Sequence, residues 1–359
     1  MKILIVCFLM LMFGQSFAQI HPEEQDVRKT LMNYLNGRNN GDTLMLASAF
    51  NANADLRYIN KGSFTIWPIK EYIKGITPNK KQDCISRIIS INIRNTAAQA
   101  IIEIEYPKRL FTDYINLLKI NDKWLIVNKI FSSREINTAK RILFVSTSHE
   151  DTGKKTGLHL GEIAEAHKIL SNNGFEIDFA NPKGLKSRVY ETDVNNPSIL
   201  EFIQNQSAFH QFSNPLKLSE IIPQKYSAMY ISGGHGAMWD LPAHPQLDSI
   251  IRSIYEQNGI VAAVSHGPAA LVNVHLSNGE LLIKGKKLTA FTNKEEKESG
   301  YHTIVPFLLE SKLKKEGSIF SSSGSWQKYI IRDGQLITGQ NPASTIALAE
   351  EIVKAINLK

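Results

Sequence analysis

Near residue 140 the hydrophobic period of this chain changes, and the change limits what it can fold into. Before it, Val27, Leu31, Tyr34 and Leu35 recur at helical spacing within residues 23–36. Asp42 is placed to cap a second helix carrying Leu44, Met45 and Ala47. β-rich runs follow at 85–93, 98–106, 114–120 and 124–131, with Asn121-Asp122 as a tight turn. Helices followed by an antiparallel meander make an α+β unit. The polar stretch 132–140 reads as a linker. Beyond it, strands at 142–146, 175–180, 227–232 and 260–264 alternate with helices at about 158–171 and 247–255. That alternation predicts an α/β doubly wound parallel sheet. Asp333-Gly334 predicts a late hairpin between 329–331 and 336–338, and a closing helix follows over 343–356. A chain of 359 residues has room for both units.

Composition removes several classes of function. With 43% hydrophobic and 21% charged residues the chain can build ordinary cores, which excludes wholesale disorder. The net charge of +7 comes without a dense Lys/Arg stripe, so no nucleic-acid partner is expected. Lys2 is followed by an apolar run from Ile3 to Phe13 and by Ser16-Phe17-Ala18, the pattern of a secretory signal peptide over 1–18. The run is too short to span a bilayer, which needs about 20 residues, so no integral membrane span is expected. Export to a periplasm or the exterior follows as the expectation. Cys7 leaves with the leader, and Cys84 then has no intramolecular partner.

The most informative stretch is Ile260-Val261-Ala262-Ala263-Val264-Ser265-His266-Gly267-Pro268. An apolar strand stops at Ser265 and a helix is expected next. Such a turn strains the residue at its apex and exposes it at the carboxyl edge of the sheet, where open α/β folds bind ligands. N–H groups of the following helix could stabilise an oxyanion there. Ala263 fills the first glycine position of a G-x-S-x-G elbow, and an ordinary strand-to-helix junction with a serine cap is the competing reading. Tyr230-Ile231-Ser232 similarly runs into Gly233-Gly234-His235-Gly236, which lacks the G-K-[ST] ending of a phosphate loop. His149, Asp151 and His159 are too loosely spaced for a metal site. Trp239 and Trp326 are placed either in the cleft or in the core.

Two resemblances follow from these residues. Tyr34-Leu35-Asn36-Gly37, Gly41-Asp42, Ala49-Phe50, Ala54 and Lys123-Trp124-Leu125-Ile126 resemble the cone of nuclear-transport-factor-2-like (NTF2-like) domains, in the lumazine-binding branch, over 23–133. The resemblance implies a ligand in the open end, with Asp55, Arg57 and Tyr58 as candidates, or a homodimer. Gly233-Gly234-His235-Gly236, Trp239-Asp240-Leu241-Pro242 and Ser265-His266-Gly267-Pro268 resemble the DJ-1/PfpI family, a flavodoxin-like, class I glutamine-amidotransferase-like fold, over 141–357. Lys155-Thr156-Gly157 leading to Glu162, Leu288-Thr289-Ala290-Phe291-Thr292 leading to Glu295-Glu296, and Thr338-Gly339-Gln340-Asn341-Pro342-Ala343-Ser344 resemble its Hsp31/glyoxalase III-type branch.

That family carries a cysteine nucleophile at the elbow. Carried over by position, the nucleophile is Ser265, the histidine His266, the tuning acid Glu162 and the orienting acid Glu296, with Glu295 competing. Gly234 and His266 would form the oxyanion hole. Ser265 departs from the family's cysteine: a serine hydroxyl stays protonated and needs a base during attack, whereas a thiol ionises readily. The expectation is an exported protein with a Ser-His-Glu site acting on a small carbonyl, amide or glycated substrate, with no cofactor and no metal. The alternative is a binding or chaperone-like protein that keeps the pocket without turnover.

Overall fold

Residues 22–149, 156–191 and 195–358 are described by the computed structural model. The leader expected at 1–18, and Lys155 and Asp151, lie outside them. The chain divides into two units, the first ending at Ile136 and the second beginning at Asn137.

In the first unit, helix α1 (Glu24–Asn40) turns at Gly41 into α2 (Thr43–Ser48), and the Asp42 side chain accepts from the Met45 N–H at 2.8 Å. Strands β1 (Phe50–Asn60) and β2 (Ser63–Pro68) follow, then α3 (Ile69–Lys74). The long strands β3 (Ile85–Arg94), β4 (Ala97–Tyr106), β5 (Arg109–Ile120) and β6 (Lys123–Glu135) complete a sheet in the order β2-β1-β6-β5-β4-β3. The meander is as expected, but β1 and β2 are additional, and β1 runs parallel to β6. The expected linker is also corrected. Residues 132–135 continue β6, with Ser132 opposite Thr112 and Glu135 opposite Arg109, because their backbone groups find ladder partners on β5. A short 3₁₀ turn, Thr138–Lys140, follows at the start of the second unit.

Tyr34, Leu35, Leu56, Ile102, Ile115 and Trp124 fill the core between α1 and the sheet. A charged pair lies within it. Lys129 Nζ stands 3.0 Å from Asp113 Oδ2, which also accepts from the Tyr34 hydroxyl at 2.6 Å. Of the candidates for the open end, Asp55 and Arg57 pair with each other at 2.9 Å, and Tyr58 stacks on Phe131. Burial pushes the Cys84 thiol up.

In the second unit seven strands form one sheet. They are β7 (Arg141–Val145), β9 (Glu176–Asn181), β11 (Leu216–Lys217), β12 (Ala228–Ile231), β13 (Ile260–Val264), β16 (Ile330–Asp333) and β17 (Leu336–Gly339). Two minor strand pairs, β8 (Leu158–His159) with β10 (Val189–Glu191) and β14 (Lys287–Leu288) with β15 (Ile319–Phe320), lie outside it. The order is β11-β9-β7-β12-β13-β17-β16, parallel except for β16, which closes the expected hairpin with β17. Every residue of β13 is buried, as a central strand covered on both faces must be. Alternate residues feed two cores. Ala262 and Val264 belong to the core that contains Leu170, Phe202 and Ile352, while Val261 and Ala263 belong to the one that contains Leu247, Ile251 and Leu313. The sheet edge that carries Ser265 is thereby clamped from both sides.

Candidate active site

The carboxyl ends of β12 and β13, adjacent and in register from Ala228↔Ile260 to Ile231↔Ala263, place two loops side by side. Ser265 follows β13 with φ +59°, a left-handed conformation that an L-residue other than glycine rarely adopts. It is held there: the Ser265 N–H donates to the Gly339 carbonyl at 2.9 Å, and its carbonyl accepts from the Phe291 N–H at 2.9 Å. The loop after β12 lies against it so closely that a Cβ on Gly233 would stand 2.8 Å from the Ser265 Cβ and 2.7 Å from the His266 nitrogen. Gly267 is likewise obligatory, since its Cβ would meet the Ile231 carbonyl oxygen at 2.4 Å. The helix expected after the serine is a 3₁₀ stretch, Gly267–Leu271, carrying Pro268 in its first turn. Its short dipole adds little to anion binding.

His266 is buried and points one ring nitrogen each way. Nε2 lies 2.9 Å from Glu296 Oε2, and Nδ1 faces Ser265 Oγ at 3.4 Å. A carboxylate only accepts, so Nε2 carries the proton and Nδ1 presents its lone pair to the serine. Burial pulls the His266 imidazole down to about 4, the nearby His235 adds to this, and the Glu296 bond opposes both. Burial pushes the Glu296 carboxyl up, but the hydrogen bonds from His235 and His266 outweigh it and bring the group down to about 2. At neutral pH the site therefore holds a neutral imidazole against an ionised carboxylate.

Glu295 and Glu296 part company in the short helix Asn293–Glu298. Glu296 serves the histidines. Glu295 closes a capping box with Thr292 and accepts from the Trp326 N–H at 2.8 Å, Gln340 Nε2 at 3.1 Å and Asn341 Nδ2 at 2.8 Å. It fastens loops and does not reach His266. Glu162 sits in the first turn of α4 (Leu160–Asn172), fully buried, and its Oε2 accepts from the Gly233 N–H at 2.6 Å. The strained serine, the two histidines, Glu162 and Gly234 all line one cavity of about 510 Å³.

His235, left without a role in the sequence reading, is part of the assembly. Its Nε2 lies 3.0 Å from Glu296 Oε1, and its ring stacks on Tyr301 at 3.9 Å. A second histidine in a Gly-rich loop at the end of the neighbouring strand was the available signal. Among the described residues, His235, His266 and Glu296 are compact enough to hold a metal ion. Each carboxylate oxygen already takes one imidazole N–H, however, and a protonated nitrogen has no lone pair for a metal. Of the two tryptophans, Trp326 lines the cavity, whereas Trp239 stacks on His149 at 5.0 Å and packs on the sheet core. His159 also borders the cavity, whereas His149 is not among its lining residues.

Comparison with known proteins decides the kinship of this unit. The family model described as "DJ-1/PfpI family" matches residues 156–355. The chain belongs to the DJ-1/PfpI family. The model described as "Putative lumazine-binding" matches residues 22–132, and the first unit is an NTF2-like domain. Glyoxalase 3 of Candida albicans is 32% identical over 230 residues, covering 60% of this chain and 98% of that protein. Glutathione-independent glyoxalase HSP31 of Saccharomyces cerevisiae is 31% identical over 60% of this chain and 98% of its own length. The solved structure of the Rapid Encystment Protein 24 kDa of Francisella tularensis is 33% identical, with a TM-score of 0.58, over 60% of this chain and 99% of that one.

Proposed function

We propose that the second unit is a serine-dependent enzyme that attacks the carbonyl carbon of a small acyl compound, an ester or amide, and hydrolyses it. One observation carries the reading. Ser265 is strained at φ +59° beside the basic nitrogen of His266, whose other nitrogen is bound by Glu296. As Oγ adds to the carbonyl, its proton passes to His266 Nδ1, and Glu296 stabilises the imidazolium that forms. The oxyanion is received by the Gly234 and His266 N–H groups. Glu162 acts through Gly233, whose N–H it holds, and so fixes the turn that aims Gly234. The tetrahedral species collapses with the Nδ1 proton going to the leaving group. Water then repeats the sequence on the acyl-serine and frees Ser265. The 3.4 Å separation of Oγ from Nδ1 is of the length that tightens when substrate binds.

A second reading is favoured by the named glyoxalases at 31–32% identity. In it an α-oxoaldehyde is the substrate and the Ser265 oxygen replaces the thiol of the family. The test is steady-state turnover of 4-nitrophenyl acetate and of methylglyoxal by the wild type, Ser265→Ala and Ser265→Cys. The proposal expects ester turnover to fall at least about 10³-fold in Ser265→Ala. Methylglyoxal turnover rising in Ser265→Cys above a negligible wild-type level supports a site inherited from thiol chemistry. No turnover by any form with ligand binding intact overturns the enzyme reading in favour of a binding or chaperone-like protein. We further propose export through the 1–18 leader, for which N-terminal sequencing of mature protein should start near Gln19; retention of Met1 would contradict it.

A further inference from the structure

Trp326 is a second strained residue at the same cavity. Its φ is +62°, it is 47% exposed, and it belongs to the irregular segment between β15 and β16. Exposed tryptophans in irregular segments usually relax. This one is fastened at both ends: its backbone N–H donates to the buried Glu295 at 2.8 Å, and its indole Nε1–H donates to Glu298 Oε2 at 2.9 Å. The same segment is tied down by Gln340, which accepts from the Ser323 N–H and donates to the Gly324 carbonyl, and by Asn341, which donates to the Gln327 carbonyl. Backbone strain held by so many bonds marks a position whose geometry is used.

The indole continues an aromatic wall. Its ring meets Phe291 edge-on at 5.5 Å, and Phe291 lies 4.3 Å from the His266 ring. Tyr301 stands on the opposite imidazole, His235. A cavity of about 510 Å³ falls within the range of about 300–1,000 Å³ that encloses drug-sized ligands, far more than an acetyl group fills. Resting on the acyl-transfer reading above, we propose that Trp326 is a specificity-determining residue and that the substrate carries a planar aromatic group beside its reacting carbonyl. The aromatic group stacks on the Trp326 indole beside Phe291 while the carbonyl carbon sits at Ser265. Offset and edge-to-face ring contacts favour such a group beyond its buried area, and the Nε1–H bond to Glu298 orients the indole before a ligand arrives, which lowers the ordering cost.

The test separates binding from turnover. Dissociation constants of benzamide and acetamide are measured by calorimetry on full-length Ser265→Ala and on the same protein with Trp326→Gly added, glycine being compatible with positive φ. We expect benzamide to bind at least about tenfold tighter than acetamide, and the ratio to fall close to one in the double variant. Trp326→Phe, which keeps a ring, should retain most of the preference and guards against a folding defect of the glycine variant. Equal binding of the two amides, or an unchanged ratio without the indole, overturns the inference. In wild-type protein, kcat/KM for aryl against alkyl 4-nitrophenyl esters distinguishes the two readings. Ester turnover without aryl preference sinks this inference and leaves the proposed chemistry standing. Aryl-selective binding without turnover upholds Trp326 and sinks the chemistry.

Discussion

Glu296 and Glu295 are neighbours with unrelated work, and substitution should separate them. Glu296→Gln keeps the shape but can donate where the carboxylate accepted, so His266 loses the partner that fixes its tautomer. We predict a fall in kcat of about 10²–10⁴-fold, together with a stability loss of about 1–3 kcal/mol from the buried imidazole N–H left facing a donor. Glu295→Gln leaves backbone and amide donors of three loops facing a neutral group, and should lower stability by about 1–3 kcal/mol before it affects kcat. The depressed imidazole has a pH signature. Folded His266 takes its proton near 4 and an unfolded imidazole near 6.5, so the unfolded state binds more protons between those values. That contribution to stability is complete above pH 6.5 and is lost as pH falls toward 4. The acid limb of kcat/KM should likewise lie near 4. His235→Phe removes the neighbouring imidazole that helps hold His266 down, and should move that limb upward in pH. A limb already at 6.5 in the wild type would contradict the account.

At the scale of elements, the elbow was legible because β13 is wholly apolar and ends without a break in a serine, a histidine and a glycine. The Gly233–Ser265 contact depends on β12 and β13 being neighbours, which strand alternation alone does not order. Adding a methyl group at Gly267 should cost more than the stabilisation gained from a less flexible unfolded chain. We expect Gly267→Ala to destabilise the second unit by about 2 kcal/mol or more, read from urea midpoints, because the Ile231 backbone cannot yield. Other features were hidden for physical reasons. Strand β1 reads Phe-Asn-Ala-Asn-Ala-Asp-Leu-Arg-Tyr-Ile-Asn, whose polar residues disfavour strand locally and which is stabilised only by pairing with β2 and β6. The choice between Glu295 and Glu296 turns on which side of a six-residue helix faces His266, and local sequence does not fix that rotation. Likewise nothing near Trp326 announces a left-handed backbone, because the bonds that impose it come from Glu295, Gln340 and Asn341.

For the molecule as a whole, the two units have separate hydrophobic cores, and separate unfolding is the expectation. The first buries Lys129 against Asp113 and Tyr34, so Lys129→Met leaves Asp113 without its cation and should destabilise that unit by about 3–5 kcal/mol. In calorimetry only the transition of the first unit should shift. A matching shift of the second, which holds every residue of the candidate site, would show that the units unfold together. Family membership explains the sheet and the elbow, and the chemistry rests on a serine at its apex. The most direct measurement is intact-protein and peptide mass spectrometry after brief exposure to a fluorophosphonate, in wild type, Ser265→Ala and His266→Ala. A single adduct on Ser265, absent from Ser265→Ala and formed at least tenfold more slowly in His266→Ala, is the predicted result. An unlabelled Ser265, or an adduct that survives Ser265→Ala, would contradict a nucleophilic serine at this site.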